Sequence, residues 1–341
     1  MNLHLLQRAP RNADLGTLHL TFFVTAIATE LCIRTQLYLT HYPQLGGHGL
    51  HIAHLLWGGV FMVAALAILL SLLGRRARQV AALLAGVGFG FFIDELGKFI
   101  TADNDYFYKP AAGLIYLIFV GLYLGSRAYQ RHRGLDEDEK VRNAVELIGE
   151  ATRGPFKQEY RDRALALLAD VSPTHPLREQ LVALAEGIDT TPNPDPPWFR
   201  RFADAVAARY RAWSERPWFH TAVIVVFACW ALAGALLVLG LVLSVTFHDS
   251  AARPGFEQDS LVHLNFLNVA SLGSTAVSCA FVAIGMERLW RGDRLDAYAW
   301  FTRALLVSIF VTRVFTFVES QFGAVFGLAI DVLLLVSIQL M

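Results

Sequence analysis

The sequence predicts an all-α membrane protein: eight transmembrane helices with a small soluble helical insert after the fourth. Three observations carry this expectation. The 341 residues are 55% hydrophobic and only 17% charged, too apolar for two soluble domains. Apolar segments near the 20 residues that a hydrocarbon layer of about 30 Å requires recur eight times along the chain. Lys and Arg gather in alternate short loops, as they do when a chain threads a bilayer repeatedly.

The first apolar segment, 17–39, follows Arg8 and Arg11 as a signal peptide would. It carries Glu30 and Arg34 within it and ends at Tyr38 to Pro43 without a small-residue cleavage site, so it reads as a retained span. The others lie at 50–73, 79–101, 110–129, 219–246, 262–286, 298–318 and 321–340. Arg75, Arg76 and Arg78 fall between spans two and three, Arg127, Arg131 and Arg133 after span four, and Arg288, Arg291 and Arg294 between spans six and seven. The intervening loops hold almost no Lys or Arg, which predicts that both termini are cytoplasmic.

The predicted organisation is a four-span unit over 1–130, a cytoplasmic insert over 131–190, a linker and interfacial helix over 191–217, and a second four-span unit over 218–341. Residues 131–217 hold 29 of the 58 charged residues. Within the insert, Val141, Val145 and Ile148 form one apolar stripe, Leu165 and Leu168 a second, and Leu177, Leu181 and Leu184 a third, predicting three amphipathic helices. The prolines of Thr190 to Pro197 predict a semi-rigid linker. Trp198, Phe202, Val206, Tyr210 and Trp213 then recur at helical spacing, with Arg200, Arg201 and Arg211 mostly elsewhere on the wheel. That pattern predicts a helix lying on an anionic lipid surface, with a helix packed on the insert as the alternative.

Laying 50–101 over 268–319 without a gap pairs span with span and gives six identities in 52 positions, among them Gly74 with Gly292, Arg76 with Arg294 and Phe99 with Phe317. This predicts a parallel duplication of a four-span unit.

Equal numbers of basic and acidic residues, 29 each, exclude a nucleic-acid footprint. Cys32, Cys229 and Cys279 lie far apart in apolar runs and form no C-x-x-C pair. Gly86, Gly88 and Gly90 lie inside an apolar span, so they form no dinucleotide loop; Gly86 and Gly90 make a G-x-x-x-G pair suited to close helix contact. Asp103-Asn104-Asp105 lacks the glycine of a calcium loop.

Ionisable residues inside a bilayer are costly and mark sites or paired networks. Arg34, His54 and Glu95 each fall about six residues from the outer end of their spans, at a shared depth on the order of 9 Å. Glu30, His51, Asp94 and Lys98 lie within a turn of these, and Asp103 and Asp105 follow in the next outer loop. These nine residues form the candidate ligand-binding set. The structural alternative neutralises Glu30 with Arg34 and Glu95 with Lys98 inside their own helices. A functional alternative uses His51, His54 and Glu95 as ligands of a zinc, iron or manganese ion, with Asp94 beside them as a base. The expected function is an outward-facing polar pocket that binds or transports a small polar ligand, ion or lipid head group. A metal-dependent enzyme acting on a lipid-phase substrate, and a scaffold recruiting a cytoplasmic protein through 135–190, are the alternatives. Arg313 and Asp331 predict an interhelical pair in the second half.

The stretch Asp94-Glu95-Leu96-Gly97-Lys98-Phe99-Ile100-Thr101, with Asp103-Asn104-Asp105-Tyr106-Phe107-Tyr108 and Pro110, resembles a segment of uncharacterised bacterial multi-pass membrane proteins. The resemblance spans under a tenth of the chain. It implies a bacterial inner membrane and carries no activity, substrate or cofactor.

Overall fold

A computed structural model describes residues 10–40, 54–102, 108–131, 134–248 and 266–341. The helices are α1 (Leu15–Leu39), α2 (His54–Ser71), α3 (Arg75–Asp94), α4 (Leu96–Ile100), α5 (Lys109–Arg131), α6 (Glu137–Gly149), α7 (Gln158–Ala169), α8 (Arg178–Gly187), α9 (Trp198–Ser214), α10 (Pro217–His248), α11 (Phe266–Trp290), α12 (Arg294–Val307), α13 (Arg313–Ser320) and α14 (Ala324–Leu340). Two residue pairs, β1 (Phe156–Lys157) and β2 (Thr190–Thr191), form a short parallel bridge. The chain divides into two compact units, one of Met1–Tyr106 with Gly121–Pro196 and the other of Phe107–Val120 with Pro197–Met341.

Among the described residues, seven helical stretches are long and apolar enough to cross a membrane. The last, Arg294–Leu340, runs 47 residues and would measure about 70 Å if straight, more than twice a hydrocarbon layer. It folds back instead: Gln321 adopts a φ of 50°, and Asp331 bonds to both Ser308 and Arg313 across the reversal. The packing also has the polarity of a protein solvated by lipid. Leu70, Leu73 and Phe326 are 79%, 85% and 76% exposed, whereas the buried positions of α2 are Gly58 and Ala65. Large apolar side chains point outward and small ones hold the helices together, as lipid-facing bundles require.

In the first unit this packing is set by the glycines of α3. A Cβ on Gly86 would strike Thr25 and the Phe22 carbonyl, and one on Gly90 would lie 2.6 Å from the Ala26 carbonyl, so both face α1. Gly88 faces α2, where it and Gly58 each lie against the other's carbonyl. The predicted G-x-x-x-G contact is therefore present, with a second glycine contact on the opposite face. Matching 86 with 22 and 90 with 26 makes α1 and α3 parallel. The pairs His19–Ser126 and Phe23–Tyr123 make the second half of α5 antiparallel to α1.

The insert is a three-helix cluster around Val141, Ala144, Leu147, Ile148, Ala164, Leu168, Val171 and Ala185. Two of the expected stripes are shifted. Val145, Leu177 and Leu184 are exposed, because Ala144 and Ala185 occupy the contact points where small side chains let helices approach. α6 begins with a reciprocal cap that the stripe pattern did not reveal: the Asp136 carboxylate accepts the Glu139 N–H at 2.8 Å, and Glu139 accepts the Asp136 N–H at 2.9 Å.

The insert is clamped to the membrane helices of its own unit. Arg11 donates to Glu139 at 2.9 Å, Asp14 pairs with Arg75 and Arg163 at 2.7 Å each, and Arg78 pairs with Glu146. Asn143 accepts the Ala13 N–H and donates to the Arg11 carbonyl, both at 2.8 Å. Two of the three arginines in the first turn of α3 are thus committed to these contacts. In the second unit, α9 carries Trp198, Phe202, Val206 and Trp213 exposed, while its Tyr210 hydroxyl meets Ser337 and its ring packs edge-on against Phe219.

Adjacent glycines give opposite expectations. Gly58→Val drives a side chain toward the Gly88 carbonyl, which lies 2.7 Å from where the new Cβ would sit, and should cost about 1–3 kcal/mol, whereas Gly59→Val meets nothing within 4 Å. Thermal unfolding in detergent reads the difference, and equal melting points for the two variants would contradict the packing. A second expectation concerns pH. The hydrogen bond from Arg11 holds the Glu139 carboxyl down to about 2, below an ordinary value near 4.5. This clamp contributes stability above pH 4.5 and loses it as pH falls from there toward 2. Melting temperatures of wild type and Glu139→Gln should converge across that window; parallel curves would show that the clamp is energetically silent.

Candidate functional site

The register of α1 on α3 delivers charged residues to one layer. One turn beyond Gly90 lies Asp94, and two turns beyond Ala26 lies Arg34. Arg34 Nε sits 2.6 Å from Asp94 Oδ1, and its Nη2 donates to the Asp94 carbonyl at 2.7 Å. The expected pairing of Glu30 with Arg34 inside α1 is not what forms: Arg34 reaches across to α3. Glu30 is buried and forms no ion pair among the described residues, and its Oε1 makes no hydrogen bond to them.

The expectation of an unbroken third span is also corrected. α3 stops at Asp94, Glu95 takes a non-helical turn with φ −89° and ψ 10°, and α4 restarts at Leu96. A break inside a span exposes backbone groups that hydrocarbon cannot satisfy. Here the Asp94 carbonyl receives Arg34. The break also swings the Glu95 carboxylate toward the start of α2, where Oε1 accepts the His54 N–H at 2.7 Å. A carboxylate at a helix N-terminal end is favoured by the helix dipole. Lys98 Nζ lies 3.4 Å from the same oxygen, so the Glu95–Lys98 pair expected within the segment is formed.

His54 completes the cluster. Its Nδ1 is 3.6 Å from Glu95 Oε1 and 4.0 Å from Asp94 Oδ2, and its ring leans on Phe91 with centroids 6.2 Å apart. Asp94 and Glu95 are fully buried, while Arg34, His54 and Lys98 keep side-chain exposures of 15%, 20% and 23%. Two buried carboxylates are therefore rimmed by three cationic or protonatable groups that are open to the surroundings.

Of the nine residues expected at the site, Glu30, Arg34, His54, Asp94, Glu95 and Lys98 come together. His51, Asp103 and Asp105 lie outside the described residues. Among the described residues no group of three His, Cys, Asp or Glu side chains is spaced to hold a metal ion, and the ligand set of His51, His54 and Glu95 depends on a residue outside them.

A second buried polar network, in the other unit, was only partly legible. Arg313 Nε pairs with Asp331 Oδ2 at 2.7 Å, as expected. Ser308 donates to the same oxygen at 2.8 Å, and the Arg313 side chain lies where a Cβ on Gly327 would be. Residues 308–312 form a wide helical turn in which Arg313 N–H bonds back to the Ser308 carbonyl, and the Tyr116 hydroxyl donates to the Ile309 carbonyl at 2.5 Å. Thr312 donates to Ser274 at 3.0 Å. The sequence signal was available: Ser308, Thr312 and Asp331 are polar residues within apolar runs.

Neither a family model, nor a curated protein, nor a solved structure matches the chain. The class is therefore defined by the architecture alone: a multi-pass, all-helical membrane protein.

The Arg34–Asp94 pair should be costly to break and cheap to replace. Asp94→Leu takes the carboxylate away from a largely buried guanidinium that keeps the residue-94 carbonyl, and should destabilise by about 3 kcal/mol, while Arg34→Met with Asp94→Leu should recover most of that loss. Unfolding of the four proteins of this double-mutant cycle measures the coupling, and additive effects would show that the two side chains act independently.

Proposed function

We propose that the protein is an eight-span carrier or receptor that takes a small polar ligand, ion or lipid head group at the Arg34–His54–Asp94–Glu95–Lys98 cluster. The carrying observation is the break at Glu95, which buries two adjacent carboxylates at the end of a membrane-length helix beneath a partly exposed rim of cations. Interrupted membrane helices are tolerated where they line a site, and carriers place their substrates at such interruptions. The rim supplies charge for an anionic or zwitterionic ligand. The carboxylates supply it for a cation that displaces Lys98, and the His54 imidazole, with Nδ1 3.6 Å from Glu95 Oε1, adds a ring nitrogen that can hydrogen-bond a ligand.

The reading counts α12 with α13 as one span and α14 as another, supported by the reversal at Gln321. It takes the insert side as cytoplasmic because the loop arginines lie there, so the cluster, at the other end of α3, opens outward. The duplication receives support of a local kind. Gly74 and Gly292, paired by the gapless registration, both have positive φ, 98° and 87°, just ahead of α3 and α12. The break at Glu95 falls opposite Arg313, where the wide turn ends.

Accessibility tests the site directly. In a background with Cys32, Cys229 and Cys279 replaced by Ala, His54→Cys and Lys98→Cys should react with a membrane-impermeant thiol reagent added from the side opposite the insert, and Leu70→Cys should not. Failure of both to react from that side would sink the reading. A metal-dependent reaction keeps one supporting observation, the approach of His54 Nδ1 to both carboxylates. Elemental analysis of the purified protein beside His54→Ala decides it, since a metal at equal content in both rules out this ligand set.

A further inference from the structure

At the opposite end of α3, about 30 Å from Glu95 at 1.5 Å per residue, the loop before the helix meets the insert around an open cavity of about 480 Å³. Its lining includes Arg76, Glu150, Arg153, Lys157, Tyr160 and Thr191. The volume lies within the range of small-ligand sites.

The charges around it do not balance. Arg75 and Arg78, on either side in sequence, pair with Asp14 and Glu146. Arg76 forms no ion pair among the described residues. Nor does Lys157, whose ammonium stands 5.7 Å from the centroid of the Tyr160 ring. Arg75 stands over the same ring at 5.6 Å, so the tyrosine meets two cations. Glu150, the acidic side chain of the lining, is divided: it approaches Arg153 at 3.7 Å and accepts the Arg75 N–H at 3.4 Å. Arg153 also holds the Leu73 carbonyl, tying the cavity wall to the end of the α2–α3 loop. Three cations thus face one shared carboxylate, at the N-terminal end of a 20-residue helix whose dipole adds positive potential. The walls are preset. Pairing of Phe156 with Thr190 and Lys157 with Thr191 joins the two rims, and Pro155, Pro192 and Pro194 stiffen them.

We propose that this cavity binds a phosphate-bearing anion, with Arg76 and Lys157 as its charged ligands and Arg153 bracing the site. Arg76 lies in the first turn of a membrane-length helix, the end at which a spanning helix would meet lipid phosphates, and the mouth is open to solutes as well. The shared chemistry is the phosphate group; its source is a lipid head group or a soluble phosphate. The site is independent of the Arg34–Glu95 reading, since no residue is common to the two.

The test uses the full-length protein in detergent, with three probes measured by native mass spectrometry and thermophoresis: short-chain phosphatidylglycerol, short-chain phosphatidylcholine and inorganic pyrophosphate. Phosphatidylglycerol or pyrophosphate should bind one per chain, and Arg76→Gln with Lys157→Gln should weaken that binding by at least about tenfold. Phosphatidylglycerol alone identifies a lipid source, pyrophosphate alone a soluble one, and both together recognition of the phosphate group itself. The charge-conserving pair Arg76→Lys with Lys157→Arg should bind within a few-fold of wild type, which separates loss of charge from loss of fold. Wild-type binding should also fall with added salt. No binding of either anionic probe, equal binding by the Gln variant, or phosphatidylcholine held as tightly as phosphatidylglycerol would overturn the proposal.

Discussion

The close approach of α1, α2 and α3 through glycine is the constraint from which the rest of the first unit follows. Helices in lipid gain nothing from hiding apolar side chains from one another, so their association relies on backbone proximity and polar contacts. Gly86 and Gly90 let α3 reach α1, and Gly88 with Gly58 lets it reach α2. Side chains at those positions would hold the helices apart. Arg34 could not then span the gap to Asp94, nor Glu95 reach the backbone of His54.

That register explains how such a polar cluster survives in a membrane. Each buried carboxylate is desolvated, a cost that only near-contact partners offset. Asp94 meets the bidentate reach of Arg34 across its side chain and its carbonyl, and Glu95 meets Lys98 and a helix N-terminal end. The break in the span is part of the same arrangement. It frees a carbonyl for Arg34 and turns Glu95 inward, which a continuous helix would place about 100° around from Asp94. In the second unit a wide turn at 308–312 serves comparable polar contacts, with Ser308 and Arg313 sharing one oxygen of Asp331. Both units thus accommodate an Arg–Asp pair beside an irregular stretch of helix.

The insert belongs mechanically to the membrane helices that precede it. Asp14, at the head of α1, is held by Arg75 from the α3 end and by Arg163 from α7, so one carboxylate joins three segments. Glu139 does double duty as cap of α6 and acceptor for Arg11. Arg75 and Arg78 supply contacts that dock the insert, and Arg76, set between them, faces a cavity instead.

The sequence by itself determined the multi-pass helical membrane class, the Gly86–Gly90 contact face and the grouping of Arg34, His54 and Glu95. Each of these follows from composition and helical periodicity, which are local properties of the chain. Only the tertiary structure decided which charges pair. Arg34 lies as near to Glu30 along its own helix as favourable spacing allows, yet it crosses to Asp94, because a helix packed within glycine distance offers a carboxylate and a freed carbonyl together. The fold-back at Gln321 falls in the gap expected between the segments 298–318 and 321–340, whereas the turn at Glu95 and the partition of Arg75, Arg76 and Arg78 between clamp and cavity left no trace in the spacing. They depend on what the neighbouring segments present at each point, and one-dimensional spacing holds no record of that.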